Sequence, residues 1–276
     1  MMAAAVSPLT VPSYAKINLT LRIGPRRPDG YHELTSLVWR TPPVESLTIA
    51  PAARDALSVT GCQIEGENVL VKALRMIRAE GENVPPLATA LDKRVPPGSG
   101  LGAGSGNGAA FLQAIETLGF QIAVARDAAG ADGYFFLSGA QTALMRGIGN
   151  DVTPCRAAEL SCIAVCPNWP TNTARAYARL DGLRAKPQDM EEAQREAMRV
   201  LDALCAGEKV GLLPNDFLAL AAERAEYGEL FAAFSDAGAL AWGLTGSGSA
   251  AFGVWPFGKA PELELNEPWI RTILRL

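Results

Sequence analysis

Between Lys93 and Ala110 the chain reads KRVPPGSGLGAGSGNGAA, with glycine at 98, 100, 102, 104, 106 and 108. Such spacing strips side chains from one short length of backbone. The run leads straight into GAAFLQAIETLG, where Phe111, Leu112, Ile115 and Leu118 recur at helical spacing and Gly119 supplies a stop. A helix is therefore predicted to begin at the end of the run. Bare amides ahead of a helix N-terminus, which carries about half a positive charge, form a cradle for a polyphosphate. The cradle comprises Pro96, Pro97, Gly98, Ser99, Gly100, Leu101, Gly102, Ala103, Gly104, Ser105 and Gly106, and Ser105 adds a hydroxyl for phosphate or for Mg²⁺.

Two familiar phosphate motifs fit less well. GxxxxGK[ST] is absent, because no lysine follows any of these glycines. GxGxxG/A matches at Gly98, Gly100 and Ala103, but a run this rich in glycine matches many registers, and it follows a strand-helix-strand stretch rather than opening a βαβ unit. A flexible linker is the weaker reading, since the run is flanked by apolar sequence and enters an amphipathic helix.

Composition bounds the rest. At 276 residues and 49% apolar, the chain buries a full core, and two domains are expected, 1–145 and 146–276. With 25 basic and 29 acidic residues, a net charge of -4 and no Lys/Arg block, it lacks the footprint of a nucleic-acid binder. No apolar stretch approaches the roughly 20 residues of a membrane helix, and the start MMAAAVSPLTVP lacks a basic n-region, so a cytoplasmic protein without a membrane partner is expected. Cys62, Cys155, Cys162, Cys166 and Cys205 form no CxxC pair and read as reduced thiols.

From Ser13 to Ile23 apolar and polar residues alternate, with Ala15, Ile17, Leu19, Leu21 and Ile23 on one face and Lys16, Asn18, Thr20 and Arg22 on the other. This predicts a half-buried strand. Pro28-Asp29-Gly30 is turn chemistry, so Tyr31–Arg40 returns as a second strand and brings Tyr31 and His32 near Lys16. Further strands are predicted at Leu47–Ala50 and Leu87–Val95, with a helix over Val69–Glu80. Beyond Gly139, strand-like ALM and SCIAVC precede helices over Glu191–Cys205 and Asp216–Gly238, giving an α+β chain.

AKINL, PPGSGLGAGSGN and LTGSGSAAFGV, in this order, resemble the GHMP kinase superfamily. Within it, YAKINLTLRIGPRRPDGYHEL, GADGYFFLSG and PNDF closely resemble the 4-diphosphocytidyl-2-C-methyl-D-erythritol kinases. The resemblance implies the two-domain GHMP kinase fold, an active site in the inter-domain cleft, ATP with Mg²⁺ on the glycine run, and a cytidylated polyol phosphorylated on its 2-hydroxyl. Lys16 and Asn18 match the family's catalytic lysine and its neighbouring asparagine, Asp132 its catalytic aspartate, and Tyr31 and His32 the pair that holds cytosine.

The chemistry agrees with those roles. Phosphoryl transfer needs positioning and charge neutralisation, and a carboxylate to take the hydroxyl proton. Blander readings stand beside each one: Lys16 as a solvated charge, Asp132 as a helix cap, and His32, the only histidine, as a structural residue. Gly246-Ser247-Gly248 reads equally as amides aimed at the substrate diphosphate or the glycine run and as a tight turn. Thr171, Thr173 and Tyr177 are candidates for the substrate wall, with Tyr177 also readable as a core aromatic.

Gly106 and Gly108 depart from the family pattern, and Gly133-Tyr134 replaces its usual valine and proline. A barer loop with weaker ATP binding is expected, tightened by Gly106→Ser. Two other readings remain open here: another GHMP acceptor such as mevalonate, homoserine or a sugar, and an inactive nucleotide-binding regulator.

Overall fold

The computed structural model describes residues 7–120, 122, 126–183 and 188–276, so residues 1–6 of the start read above lie outside the described residues. In chain order the elements are β1 (Leu9–Asn18), β2 (Arg22–Arg26), β3 (His32–Pro51), β4 (Ala56–Gly61), α1 (Val69–Ala79), β5 (Leu87–Lys93) and α2 (Ala103–Thr117). After one 3₁₀ turn (Arg126–Ala129) come α3 (Gly133–Ser138), β6 (Thr142–Gly147), β7 (Asp151–Pro154), β8 (Leu160–Pro167), α4 (Thr173–Leu183) and α5 (Met190–Cys205). The chain ends with β9 (Gly211–Leu212), α6 (Leu218–Ala221), α7 (Ala225–Asp236), β10 (Ala241–Leu244), β11 (Ala251–Pro256) and β12 (Ile270–Arg275). Among the described residues no helix is long and apolar enough to cross a membrane.

Packing divides the chain into two units. The first holds the described residues up to Ala15, Pro42–Pro97 and Gly102–Gly139; the second holds Lys16–Thr41, Gly98–Leu101 and Ala140–Leu276. The sequence reading places one cut between 145 and 146, whereas this division is discontinuous, because β1 and β3 each begin in one unit and end in the other.

In the first unit, β5 pairs antiparallel with Ser46–Pro51 of β3 and parallel with β4. Helix α1 is capped by Asn68, whose side chain accepts from the Leu70 amide, and buries Leu70, Ala73 and Ile77. Against Arg94, Val95 and Asn107 lies a fully buried carboxylate. Glu45 Oε1 accepts from Lys93 Nζ (2.7 Å), the Arg94 amide (3.0 Å) and the Val95 amide (2.8 Å), while Oε2 accepts from Asn107 Nδ2 (2.6 Å). A charge buried this deeply is tolerable only when paired and hydrogen-bonded, as here.

In the second unit, a sheet of order β12-β8-β11-β10-β9 packs on a core that includes Ile163, Val165, Leu180, Phe217, Leu230, Phe234 and Trp255. The turn between β2 and β3 is set by Gly30, at φ 86°, and by Asp29 Oδ1 accepting from the Tyr31 amide. Leu34–Trp39 of β3 pairs with β6.

Three expectations change. The two strands foreseen at 31–40 and 47–50 are one strand of 20 residues. Pro42 and Pro43 stand outside the β6 ladder, which ends at Trp39, and the β5 ladder, which starts at Ser46, on a strand that β1 also pairs with. The half-buried strand foreseen over Ser13–Ile23 is two strands, β1 ending at Asn18 and β2 starting at Arg22, and its polar side is buried as well, with Lys16 4%, Asn18 6% and Thr20 1% exposed; alternation marks two faces but not what covers the polar one. The helix foreseen over 216–238 breaks into α6 and α7, where Arg224 turns extended and lays its guanidinium 4.1 Å from the centre of the Trp169 ring.

Candidate active site

In the second unit, Lys16 stands near the end of β1 with its ammonium donating to Asn18 Oδ1, both side chains buried. Asn18 Oδ1 also accepts from the Gly246 amide (2.8 Å) and Thr245 Oγ1 (3.3 Å), while Nδ2 donates to Ser36 Oγ (2.8 Å). Asn18 is therefore the hub that fixes the direction of the lysine and holds the turn at Thr245–Gly248. Asn215 grips that turn again through Nδ2, which donates to the Leu244 carbonyl (2.7 Å) and the Gly246 carbonyl (3.0 Å).

Gly98–Leu101 rests on this frame. The Gly98 carbonyl accepts from the Thr171 amide (3.0 Å) and the Ser249 amide (3.3 Å), Ser99 from the Ala250 amide (2.8 Å), and Leu101 from the Lys16 amide (2.9 Å). The Gly100 carbonyl oxygen lies 3.4 Å from Thr245 Oγ1, as a second acceptor within reach of the one proton that the hydroxyl also points to Asn18 Oδ1. In a trans peptide the N–H opposes the preceding C=O, so anchoring these carbonyls turns the following amides outward. Among the described residues, the amides of Gly100 and Leu101 donate to no acceptor. Gly246-Ser247-Gly248 is a turn that packs on the glycine run: a Cβ on Gly100 would meet the Thr245 carbonyl oxygen at 2.2 Å and that of Gly248 at 2.8 Å.

In the first unit, α2 begins at Ala103, inside the run rather than after it, with Gly102 as a left-handed N-cap at φ 63°. The first bond of the helix is Gly106 N–H to the Gly102 carbonyl (3.1 Å), which leaves Ala103, Gly104 and Ser105 as the open amides of a helix N-terminus. These donors suit an anion. Gly104 is exposed, and a Cβ there meets nothing within 4 Å.

Gly106 and Gly108 do not make the loop barer. A Cβ on Gly106 would stand 2.0 Å from the Tyr14 carbonyl oxygen, and one on Gly108 would stand 2.7–3.0 Å from the Ala129 backbone. Both glycines serve close backbone packing, which corrects the reading of them as a barer loop.

Asp132 is the N-cap position of α3, yet its side chain makes no capping bond. Its amide donates instead to Ser105 Oγ at 3.2 Å, tying the start of α2 to the start of α3. The carboxylate is half-buried.

The remaining candidates belong to the second unit. Tyr31 is 64% exposed, whereas the His32 side chain is 8% exposed. Thr173 Oγ1 and Ser247 Oγ are 3.2 Å apart, and Thr171 Oγ1 lies 3.2 Å from where a Cβ on Gly248 would be. Tyr177 lies between His32, to which it is tilted by 32°, and Phe217, which it meets edge-on.

Sequence reasoning missed several groups. Asn215 and Asp216 lie in the PNDF motif; Asp216 Oδ2 accepts from the Ile23 amide (2.7 Å) and Oδ1 from Arg22 Nη1 (2.9 Å). Arg22 also donates twice to Glu196, at 2.7 Å each, and its guanidinium is held firmly charged, chiefly by that pair. The motif itself was the available signal. Asp181 and Glu196 carry none. Among the described residues no group of three or more His, Cys, Asp or Glu could hold a metal ion.

Residues 68–139, which include the glycine run, Ser105 and Asp132, match the family model of the GHMP kinases N terminal domain. A 4-diphosphocytidyl-2-C-methyl-D-erythritol kinase of Chloroherpeton thalassium is 31% identical over 260 residues, covering 89% of this chain and 89% of that protein. The chain belongs to the 4-diphosphocytidyl-2-C-methyl-D-erythritol kinase family. Its fold is the α+β GHMP kinase fold. A crystal structure of a 4-(cytidine 5'-diphospho)-2C-methyl-D-erythritol kinase matches with a TM-score of 0.71 at 30% identity, over 89% of this chain and 90% of that one. The homoserine kinase of Cytophaga hutchinsonii, at 17% identity and a TM-score of 0.61 over 94% of this chain and 89% of that one, shares the fold.

Proposed function

We propose that the chain transfers the γ-phosphoryl group of ATP to the 2-hydroxyl of 4-diphosphocytidyl-2-C-methyl-D-erythritol, with Lys16 and Asp132 as its catalytic residues. The observation that carries this reading is family membership over nearly the whole chain, joined to Lys16 and Asp132 standing where the family's motif has them.

In the transfer, the bond from the substrate oxygen to the γ-phosphorus forms as the bond from that phosphorus to the β–γ bridging oxygen breaks, and ADP leaves. Asp132 takes the hydroxyl proton late in the reaction. A carboxylate not spent on capping α3 suits that task, and a positioned base contributes about 10²- to 10⁴-fold. The Lys16 ammonium, oriented by Asn18, steers the acceptor and offsets developing negative charge.

The open amides of Gly100 and Leu101, and separately those of Ala103, Gly104 and Ser105, fit a phosphate chain and are assigned to ATP. Mg²⁺ bound with the nucleotide would offset charge on the transferring phosphates, and Ser105 is the hydroxyl we assign to it. Tyr31, His32 and Tyr177 are assigned to the cytosine ring, and Thr171, Thr173 and Ser247 to the polar part of the substrate. The partner is thus a small molecule rather than nucleic acid, and the site of action is the cytoplasm, where ATP is supplied.

The test is a kinase assay with purified protein, ATP and Mg²⁺ across cytidylated and free polyols. ADP release with the cytidylated substrate, inhibited by CMP, is expected. No ADP with that substrate, or equal turnover of mevalonate or homoserine, overturns the reading.

A further inference from the structure

His32 is held from two sides within the second unit. Its Nε2 lies 2.8 Å from Asp181 Oδ1, and its ring centre lies 5.2 Å from that of Tyr177 at an angle of 32°. Tyr177 is itself fixed by edge contact with Phe217, 5.0 Å away at 72°, and Phe217 belongs to the core. Tyr177 and Asp181 are four residues apart on α4, so one face of one helix supplies both contacts. The pairing joins positions 149 residues apart.

A carboxylate accepts and does not donate, so Nε2 carries the proton in this pair. In the neutral ring Nδ1 is then an acceptor. Among the described residues Nδ1 has no donor of its own.

We infer that Asp181 is a positioning residue that fixes His32 in the Nε2–H tautomer, so that Nδ1 accepts from the exocyclic amine of cytosine and the site prefers cytosine to uracil. This rests on the cytidylated substrate proposed above. Cytosine presents an N4 amine, a donor, where uracil presents an oxygen, an acceptor. Against an acceptor Nδ1 the first forms a hydrogen bond and the second opposes two lone pairs. The other tautomer would reverse that preference, so the carboxylate on the far side of the ring determines which base is accepted.

Because His32 is the chain's only histidine, selective ¹⁵N-histidine labelling yields a single pair of imidazole nitrogens. In the unliganded protein Nε2 is expected to be protonated and Nδ1 not, and Asp181→Ala is expected to give a mixture of tautomers. Equilibrium binding of CMP and UMP supplies the second readout. Asp181→Ala should lose about tenfold or more of the wild-type preference for CMP, while Asp181→Asn, which keeps an acceptor oxygen, retains more of it. A wild-type ring protonated on Nδ1, or a CMP-to-UMP affinity ratio unchanged in Asp181→Ala, overturns the inference. If the tautomer and the CMP preference hold while no cytidylated alcohol is phosphorylated, the proposed function fails and the assignment of Asp181 stands.

Discussion

The carbonyl oxygen of Tyr14 stands 2.0 Å from where a Cβ on Gly106 would be built. Backbone therefore meets backbone where β1 crosses α2, with no flexible side-chain end to give way. Gly106→Ser is expected to lower stability by about 1–3 kcal/mol through overpacking, read as a lower urea midpoint at unchanged slope. A stability equal to that of the native protein would show that the crossing relaxes at no cost.

Gly104 gives the opposite case from the same helix. It is helical and exposed, so Gly104→Ala should leave stability unchanged or raise it by up to about 0.5–1 kcal/mol. The added methyl group still stands at the amides assigned to phosphate, so KM for ATP should rise several-fold. Unchanged KM would remove Gly104 from the nucleotide site.

Asp132→Asn should fold like the native protein, because the carboxylate makes no cap bond to lose. Its kcat should fall about 10²- to 10⁴-fold with ATP binding preserved. Equal binding with no turnover in either protein would instead favour an inactive nucleotide-binding regulator.

Asn18→Ala removes the acceptor shared by Lys16, Thr245 and Gly246. Removing an acceptor shared by three donors should lower stability by about 1–3 kcal/mol and reduce kcat as the ammonium loses this contact. Thermal unfolding together with steady-state kinetics checks both, and a change in neither would contradict the role of hub.

Tyr227 donates its hydroxyl to the Ser249 carbonyl at 2.8 Å, and burial raises its pKa above the usual tyrosine range. A raised folded-state pKa means that this contribution is complete below about pH 10, the unfolded value, and is lost as pH rises through the folded value. Tyr227→Phe should be less stable by about 0.5–1.5 kcal/mol at neutral pH and lose less stability between pH 10 and 12. Parallel alkaline curves would place the loss elsewhere.

Much of this was legible in the residues themselves. AKINL, the glycine run and LTGSGS are local strings whose spacing carries chemistry, and periodicity located α1, β5 and α5 closely. What stayed hidden is non-local. Nothing near Lys16 announces that both faces of its strand are covered, and nothing near His32 points to Asp181. Glycine is ambiguous by nature: the same residue faces open space at Gly104 and a neighbouring backbone at Gly106, and only packing separates the two.

Glu45 holds both edges of the run, the Arg94 and Val95 amides by one carboxylate oxygen and the Asn107 side chain by the other. The contour length between those edges is thereby metered. A residue inserted or deleted between Val95 and Asn107 cannot be absorbed by sliding either end, and must bulge or stretch the segment that carries the open amides. An engineered loop here must therefore keep the residue count even where it changes every side chain.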